Sequence, residues 1–161
     1  MISFMIRPYR ESDLAALALL FTRSVHGLAR EHYDSKQLSA WASAAMDLTA
    51  WEARLAGLKT LLAHADENPV GFLSYERNGH IDLLYVSPSH SRRGIASALY
   101  AAAEAALRSE GIFEFVTEAS KTARPFFERH GFRVTEEQNI EVRGVAFTRY
   151  EMRKTIRPTS P

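Results

Sequence analysis

Between residues 91 and 96 the chain reads Ser-Arg-Arg-Gly-Ile-Ala, set between an apolar, aromatic run (Ile81, Leu83, Leu84, Tyr85, Val86) and an alanine-rich stretch starting at Ile95. Strand chemistry thus gives way to a basic turn around Pro88, and the turn to the start of a helix. The first turn of a helix carries about four backbone N–H groups with no partner inside the helix, and the aligned peptide dipoles add roughly half a positive charge there. Gly94 and Ala96 keep that backbone reachable, and Arg92 and Arg93 put fixed positive charge beside it. The turn is therefore a cradle for an anion of the pyrophosphate type. A P-loop is excluded, because no Lys-Ser or Lys-Thr pair follows the glycine.

The segment SRRGIA at 91–96, preceded by LYVSP at 84–88, resembles the acyl-CoA-binding signature of the GNAT N-acetyltransferase superfamily, (Gln/Arg)-x-x-Gly-x-(Gly/Ala) after a strand ending hydrophobic-Val-x-Pro. Further on, ASKTARPFFERHGF at 119–132 is similar to the family's Asn-x-x-Ala-x-x-Leu-Tyr-Glu-x-x-Gly-Phe segment, in matching order and spacing. The likeness is strong over residues 70–135 and topological elsewhere. Two positions depart from the pattern. Ser91 stands where the family usually has Gln or Arg, which weakens one side-chain contact but leaves the backbone amides intact. Phe127 stands where many members place the tyrosine that protonates the departing thiolate.

The resemblance implies one α/β (α+β) domain over residues 1–155 with a frayed tail at 156–161. Its sheet would be central, mixed and mostly antiparallel, of six or seven strands, with helices on both faces and one splayed strand pair. It implies acetyl-CoA as co-substrate and no metal. The pantetheine arm would run beside Tyr85 and Val86, with the Val86 N–H as oxyanion donor. The pyrophosphate would rest on Arg92, Arg93, Gly94, Ile95, Ala96 and Ser97, and Ser120, Arg124 and Phe127 would flank the far side of the arm. The first two helices would wall the acceptor pocket, making Ser24, His32, Tyr33 and Trp41 candidate lining residues; Tyr33 and Trp41 read rather as core.

The reaction implied is transfer of the acetyl group to a primary amine of a small molecule or peptide, by direct attack in a ternary complex. A lysine-like amine with a pKa of about 10.4 is protonated at pH 7, and freeing its lone pair costs about 4.6 kcal/mol. The thiolate, with a pKa nearer 8.5, needs less help. A missing base therefore costs more than a missing acid, and Phe127 is tolerable. Candidate bases are His80, Asp82 and Glu118. Strand alternation puts His80, Asp82, Leu84 and Val86 on one face and Ile81, Leu83 and Tyr85 on the other. His80 aligns, counting back from Gly94, with a general-base glutamate of some family members, and it reads equally as a surface histidine after a hairpin glycine. Asp82 also reads as a structural hydrogen-bond acceptor, and Glu118 as a strand-edge charge. Tyr85 and Tyr150 are the available hydroxyl acids, with Tyr85 equally a packing residue. An acyl-CoA-binding regulatory module without turnover is the alternative function.

Positioning these groups requires a particular order of elements. A strand over residues 2–7 leads into a helix capped by Ser12 and Asp13, apolar at Leu14, Leu17, Leu20, Phe21 and Val25, running to about Arg30. Helical pieces follow at 35–45, with Leu38 and Trp41 inward, and at 49–56. LKTLLAHA and PVGFLSYER are strands joined by the turn DENP, and Asn78-Gly79 turns the chain into the strand 80–86. The helix from Ile95 buries Ile95, Leu99, Ala102 and Ala106 and ends near Gly111. IFEFVTEAS is a strand parallel to 80–86, residues 123–130 are a short helix with Pro125 in its first turn, and FRVTEEQN and VAFTRYEMRK make a closing hairpin.

Composition agrees with one soluble domain: 161 residues, 46% hydrophobic and 24% charged. A formal net charge of +1 argues against a nucleic-acid binder. The absence of cysteine excludes disulfides, zinc–thiolate sites and a cysteine acyl-enzyme. The apolar run Ile2–Ile6 is too short for a signal-peptide core, and no stretch approaches the ~18 residues of a membrane span. A cytoplasmic protein with no membrane partner is the expectation, with a homodimer left open.

Overall fold

The computed structural model of the protein describes residues 3–28, 34–37, 47–90 and 92–157. Seven strands, β1 (Met5–Pro8), β2 (Lys59–Ala65), β3 (Asn68–Tyr75), β4 (His80–Val86), β5 (Glu114–Ala119), β6 (Arg133–Val142) and β7 (Val145–Thr155), form one sheet. Their order across it is β1-β2-β3-β4-β5-β7-β6. Every neighbouring pair is antiparallel except β4 and β5, which run parallel. This is the mixed, mostly antiparallel sheet that the sequence led us to expect. Helices α1 (Leu14–Leu28), α2 (Leu48–Ala56), α3 (Ile95–Ser109) and α4 (Arg124–Arg129) divide between its two faces.

Two apolar clusters hold those layers. On one face Leu17, Phe21 and Val25 of α1 and Trp51 and Leu55 of α2 pack on Leu62, Phe72, Leu83 and Phe147. On the other, Ile95, Leu99, Ala103 and Leu107 of α3 and Phe127 of α4 pack on Ala63, Leu73, Ile81, Phe115 and Met152. The buried stripe of α3 thus runs through Ala103 and Leu107; Ala102 is only half-buried and Ala106 is exposed. An unbroken alanine run gives little contrast for choosing a face, and Leu107 decides it.

Local chemistry explains the element ends. Asp47 caps α2 by accepting the Ala50 N–H at 3.0 Å. At α1 a turn of 3-10 helix (Glu11–Asp13) comes first, and Asp13 faces back to accept the Arg10 N–H at 2.8 Å and both terminal nitrogens of Arg7 at 2.8 Å. Asp13 is therefore a clamp onto β1, and the helix proper begins one residue later. The guanidinium of Arg7 holds the Asp13 carboxyl below its usual range against an opposing burial effect. The last hairpin turns at Arg143-Gly144, both at positive φ (51° and 77°), the pairing that a right-twisted two-residue loop requires. Strand β6 runs on to Val142, beyond the sequence expectation, because Ile140 and Val142 pack on the α1 face.

Strand alternation along β4 needs correction. Ser74 pairs with Leu83 and Tyr75 with Ile81, so Asp82 has no opposite number on β3. This bulge shifts the pleat by one residue. Ile81 sides with Leu84 and Val86 on the α3 face, and Leu83 and Tyr85 with α1. Expected helix 35–45 falls mostly outside the described residues.

Candidate active site

Strands β4 and β5 pair only at His80 with Val116 and Ile81 with Thr117. Past that point they part, and a cavity opens on each side of the gap. The wider one, about 480 Å³, is walled by α1, α2, β5 and the β6–β7 hairpin. The narrower, about 250 Å³, lies against the turn before α3 and the start of α4. Leu84, Tyr85, Ser120 and Ala123 line both, so the two spaces meet at the splay.

The narrow cavity lies at the turn where the sequence reading expects the anion cradle. Val86, Arg92, Gly94, Ile95, Ala96, Ser97 and Ser120 all line it. Gly94 is the N-cap of α3 at φ +80°, and Arg92 is also left-handed at φ +60°. Alternation of this kind turns successive N–H groups into one concavity that suits an anion. The Ser87 N–H donates to the Val70 carbonyl at 2.8 Å, so the adjacent Val86 N–H faces the other edge of β4, toward the gap. Ser97 Oγ and His130 Nε2 lie 3.0 Å apart and tie the first turn of α3 to the end of α4.

Several expected cofactor and acceptor residues sit elsewhere. Arg93 is exposed and lines neither cavity. Arg124 pairs with Glu128 and stacks over the Tyr150 ring at 4.6 Å. Phe127 is 3% exposed and borders the wide cavity, whereas its neighbour Phe126 borders the cradle. Ser24, expected at the acceptor, lines the cradle side instead. His32, Tyr33 and Trp41 lie outside the described residues.

Of the candidate bases, Asp82 and Glu118 line the wide cavity and His80 does not. His80 stands behind Glu118, with Nε2 at 3.0 and 2.9 Å from the two carboxylate oxygens and Nδ1 at 3.2 Å from Glu76. The hydrogen bond that Glu118 accepts from His80 raises the His80 pKa above the ordinary imidazole value, against an opposing burial effect. The same bond holds Glu118 below the usual carboxylate range, against burial and with help from Arg149 and Arg153. His80 in this setting is a hydrogen-bonded clamp on Glu118. The bulge at Asp82 turns its carboxylate to Arg54 on α2, at 3.5 Å. Tyr85 is wedged between Phe21 and Phe72, ring centroids 4.8 and 5.7 Å away, and borders both cavities; Tyr150 borders neither.

This pair has a signature in stability. His80, with a raised pKa, contributes fully below the unfolded imidazole value of about 6.5 and loses that contribution as pH rises through its folded pKa. Glu118, with a lowered pKa, contributes above the unfolded carboxylate value of about 4.3 and loses it as pH falls through its own folded pKa. His80→Gln should therefore cost most between those limits, about 1 kcal/mol, with the deficit shrinking at higher pH. Urea unfolding from pH 5 to 9 checks this; a deficit that grows with pH contradicts it.

Arg54, Arg143, Arg149, Trp51 and Phe147 also line the wide cavity, and none of them was singled out from sequence. Arg143-Gly144 could have been found as a turn, but not as a cavity wall.

Comparison with known proteins agrees with this geometry. The family model for the acetyltransferase (GNAT) domain matches residues 29–154. The uncharacterized N-acetyltransferase YafP of Escherichia coli (strain K12) is 40% identical over 148 residues, 92% of this chain and 93% of its own. The crystal structure of a GCN5-related N-acetyltransferase from Rhodopseudomonas palustris superposes with a TM-score of 0.92 at 33% identity, covering 97% of this chain and 98% of that one. The PaiA N-acetyltransferase of Thermoplasma acidophilum, solved with coenzyme A, shares the fold with a TM-score of 0.76 at 20% identity over 96% of this chain and all of its own.

Proposed function

Because the chain belongs to the GNAT acetyltransferase family, we propose that it moves an acetyl group from acetyl-CoA to a primary amine by direct attack in a ternary complex. The observation that carries this reading is the meeting of two cavities at one strand gap, each with the chemistry its ligand needs. The pyrophosphate rests on the amides from Arg92 to Ser97 and the pantetheine arm runs beside Val86 into the gap. The Val86 N–H, turned from β3, donates to the thioester oxygen as negative charge develops on it. The amine arrives from the wide cavity.

Glu118 takes the proton from the incoming ammonium, directly or through one water, with His80 holding its carboxylate in place. Asp82 orients the same ammonium from the bulge of β4. Attack on the carbonyl carbon forms the C–N bond, and collapse expels the thiolate. Buried Phe127 has no hydroxyl to offer that thiolate. Ser120 does: its Oγ accepts the Ala123 N–H at 3.1 Å, which leaves its own proton free to turn to the gap.

Gly94→Val tests the cradle. A Cβ at this position meets nothing within 4 Å, so the substitution acts through the backbone, forcing a β-branched residue into φ +80°. Strain of about 1–3 kcal/mol is relieved by unwinding the cap, and acetyl-CoA affinity should fall about tenfold or more by calorimetry. Unchanged affinity refutes the cradle. Thiol release with an amine panel tests turnover itself, and binding with no thiol from any amine would leave a non-catalytic acyl-CoA module.

A further inference from the structure

The geometry points to an acceptor that carries an anionic oxyacid group, carboxylate or phosphate, beside its reactive amine, read by Arg54, Arg143 and Arg149; this rests on the acetyltransferase reading above. Among the described residues the charged lining of the wide cavity is three arginines, these, and two carboxylates, Asp82 and Glu118. One positive charge is left unbalanced. A cavity of that sign repels a bare ammonium, which has no anion of its own to offset it. An amine with a built-in anion matches both halves, its nitrogen toward Glu118 and its oxyanion toward the arginines.

The arginines are placed for that task by different elements. Arg149, on β7, ties its Nε to Gln138 Oε1 at 2.7 Å, and its two terminal nitrogens have no hydrogen-bond partner among the described residues. A guanidinium fixed by one edge in this way presents the other as a fork for a carboxylate or phosphate. Arg143 stands exposed at the hairpin turn, left-handed at φ +51°, without a salt bridge among the described residues. The hairpin itself is tied at Ala146, whose carbonyl accepts from Gln37 Nε2 at 3.0 Å. Arg54 is 51% exposed, packs over Trp51 at 6.0 Å, and touches Asp82 only at 3.5 Å, a separation an incoming oxyanion can exploit. Bidentate recognition by arginine also sets specificity, because an acceptor without the anion leaves these donors unpaired.

The experiment measures thiol release and calorimetric binding for matched pairs, an amino acid against its amide and O-phosphoethanolamine against ethanolamine. Expected is a kcat/KM advantage of about tenfold or more for the anionic member, the larger advantage naming carboxylate or phosphate. Arg149→Gln and Arg143→Gln should each shrink that advantage severalfold, chiefly through KM, while acetyl-CoA affinity holds. Equal use of the neutral members, or an advantage untouched in both variants, overturns the inference while leaving acetyl transfer standing. Loss of acetyl-CoA binding or of all turnover strikes the underlying reading instead. In that case the calorimetric arm still decides, since failure of the anionic members to bind more tightly than their neutral partners overturns the inference too.

Discussion

Glu118→Gln is expected to lower kcat by about 10²–10³ while acetyl-CoA affinity stays within about twofold. The substitution keeps the shape of the side chain and an oxygen that can accept from His80, so it removes the proton acceptor and little else. The magnitude is that of a positioned general base, which accepts the proton as the C–N bond forms and contributes about 10²–10⁴-fold. The hydrogen bond with His80 holds Glu118 below the usual carboxylate range, so its carboxylate is available as a proton acceptor at neutral pH. Asp82→Asn should behave differently, raising KM more than it lowers kcat, if the proposed role of Asp82, orienting the ammonium without taking its proton, holds. Steady-state kinetics on both variants with acetyl-CoA saturating separate the roles. Full kcat in Glu118→Gln would remove the base from Glu118.

The second large effect is structural. Gly79→Ala should destabilise the protein by about 3 kcal/mol or more. Gly79 has φ +101°, a conformation L-residues rarely adopt, and a Cβ there would overlap the backbone carbonyl oxygen of Glu114 at the start of β5. That neighbour cannot yield cheaply, since the Val116 N–H donates to the Gly79 carbonyl at 3.1 Å and the same residues open the parallel pairing of β4 and β5. Gly57→Ala supplies the control: Gly57 has φ −94° and open space around it. Urea unfolding of the two variants should give a large shift for the first and almost none for the second; a near-neutral Gly79→Ala would refute the close approach.

The backbone plan was legible because local chemistry marks it. Asn78-Gly79 and the glycine after α3 are punctuation that acts within a few residues, and the strand and helix they bound stand where those marks put them. The turn into α3 was legible for the same reason: Gly94, its neighbours and the helix they open are contiguous in sequence. What escaped was whatever depends on pairing across elements. The bulge at Asp82 is a property of β3 and β4 together, so alternation along β4 alone assigned Ile81 to the wrong face. The contact of His80 with Glu118 depends on β4 lying beside β5, and strand β4 alone could not show it. Arg143 and Arg149 carry no mark in the sequence, and only the fold of β6 and β7 puts them on one cavity wall with Arg54.

Two residue pairs are all that stitch the N-terminal four strands to the C-terminal three where β4 meets β5. The seam leaves amides of Leu84 and Val86 facing a cleft in which no strand covers them, so in the ligand-free protein their hydrogens should exchange with solvent far faster than those of β3. A thioester lying along that edge takes the part of an absent strand. Occupancy by the co-substrate would then be readable from the protein's own deuterium uptake, without a labelled ligand or a coupled assay.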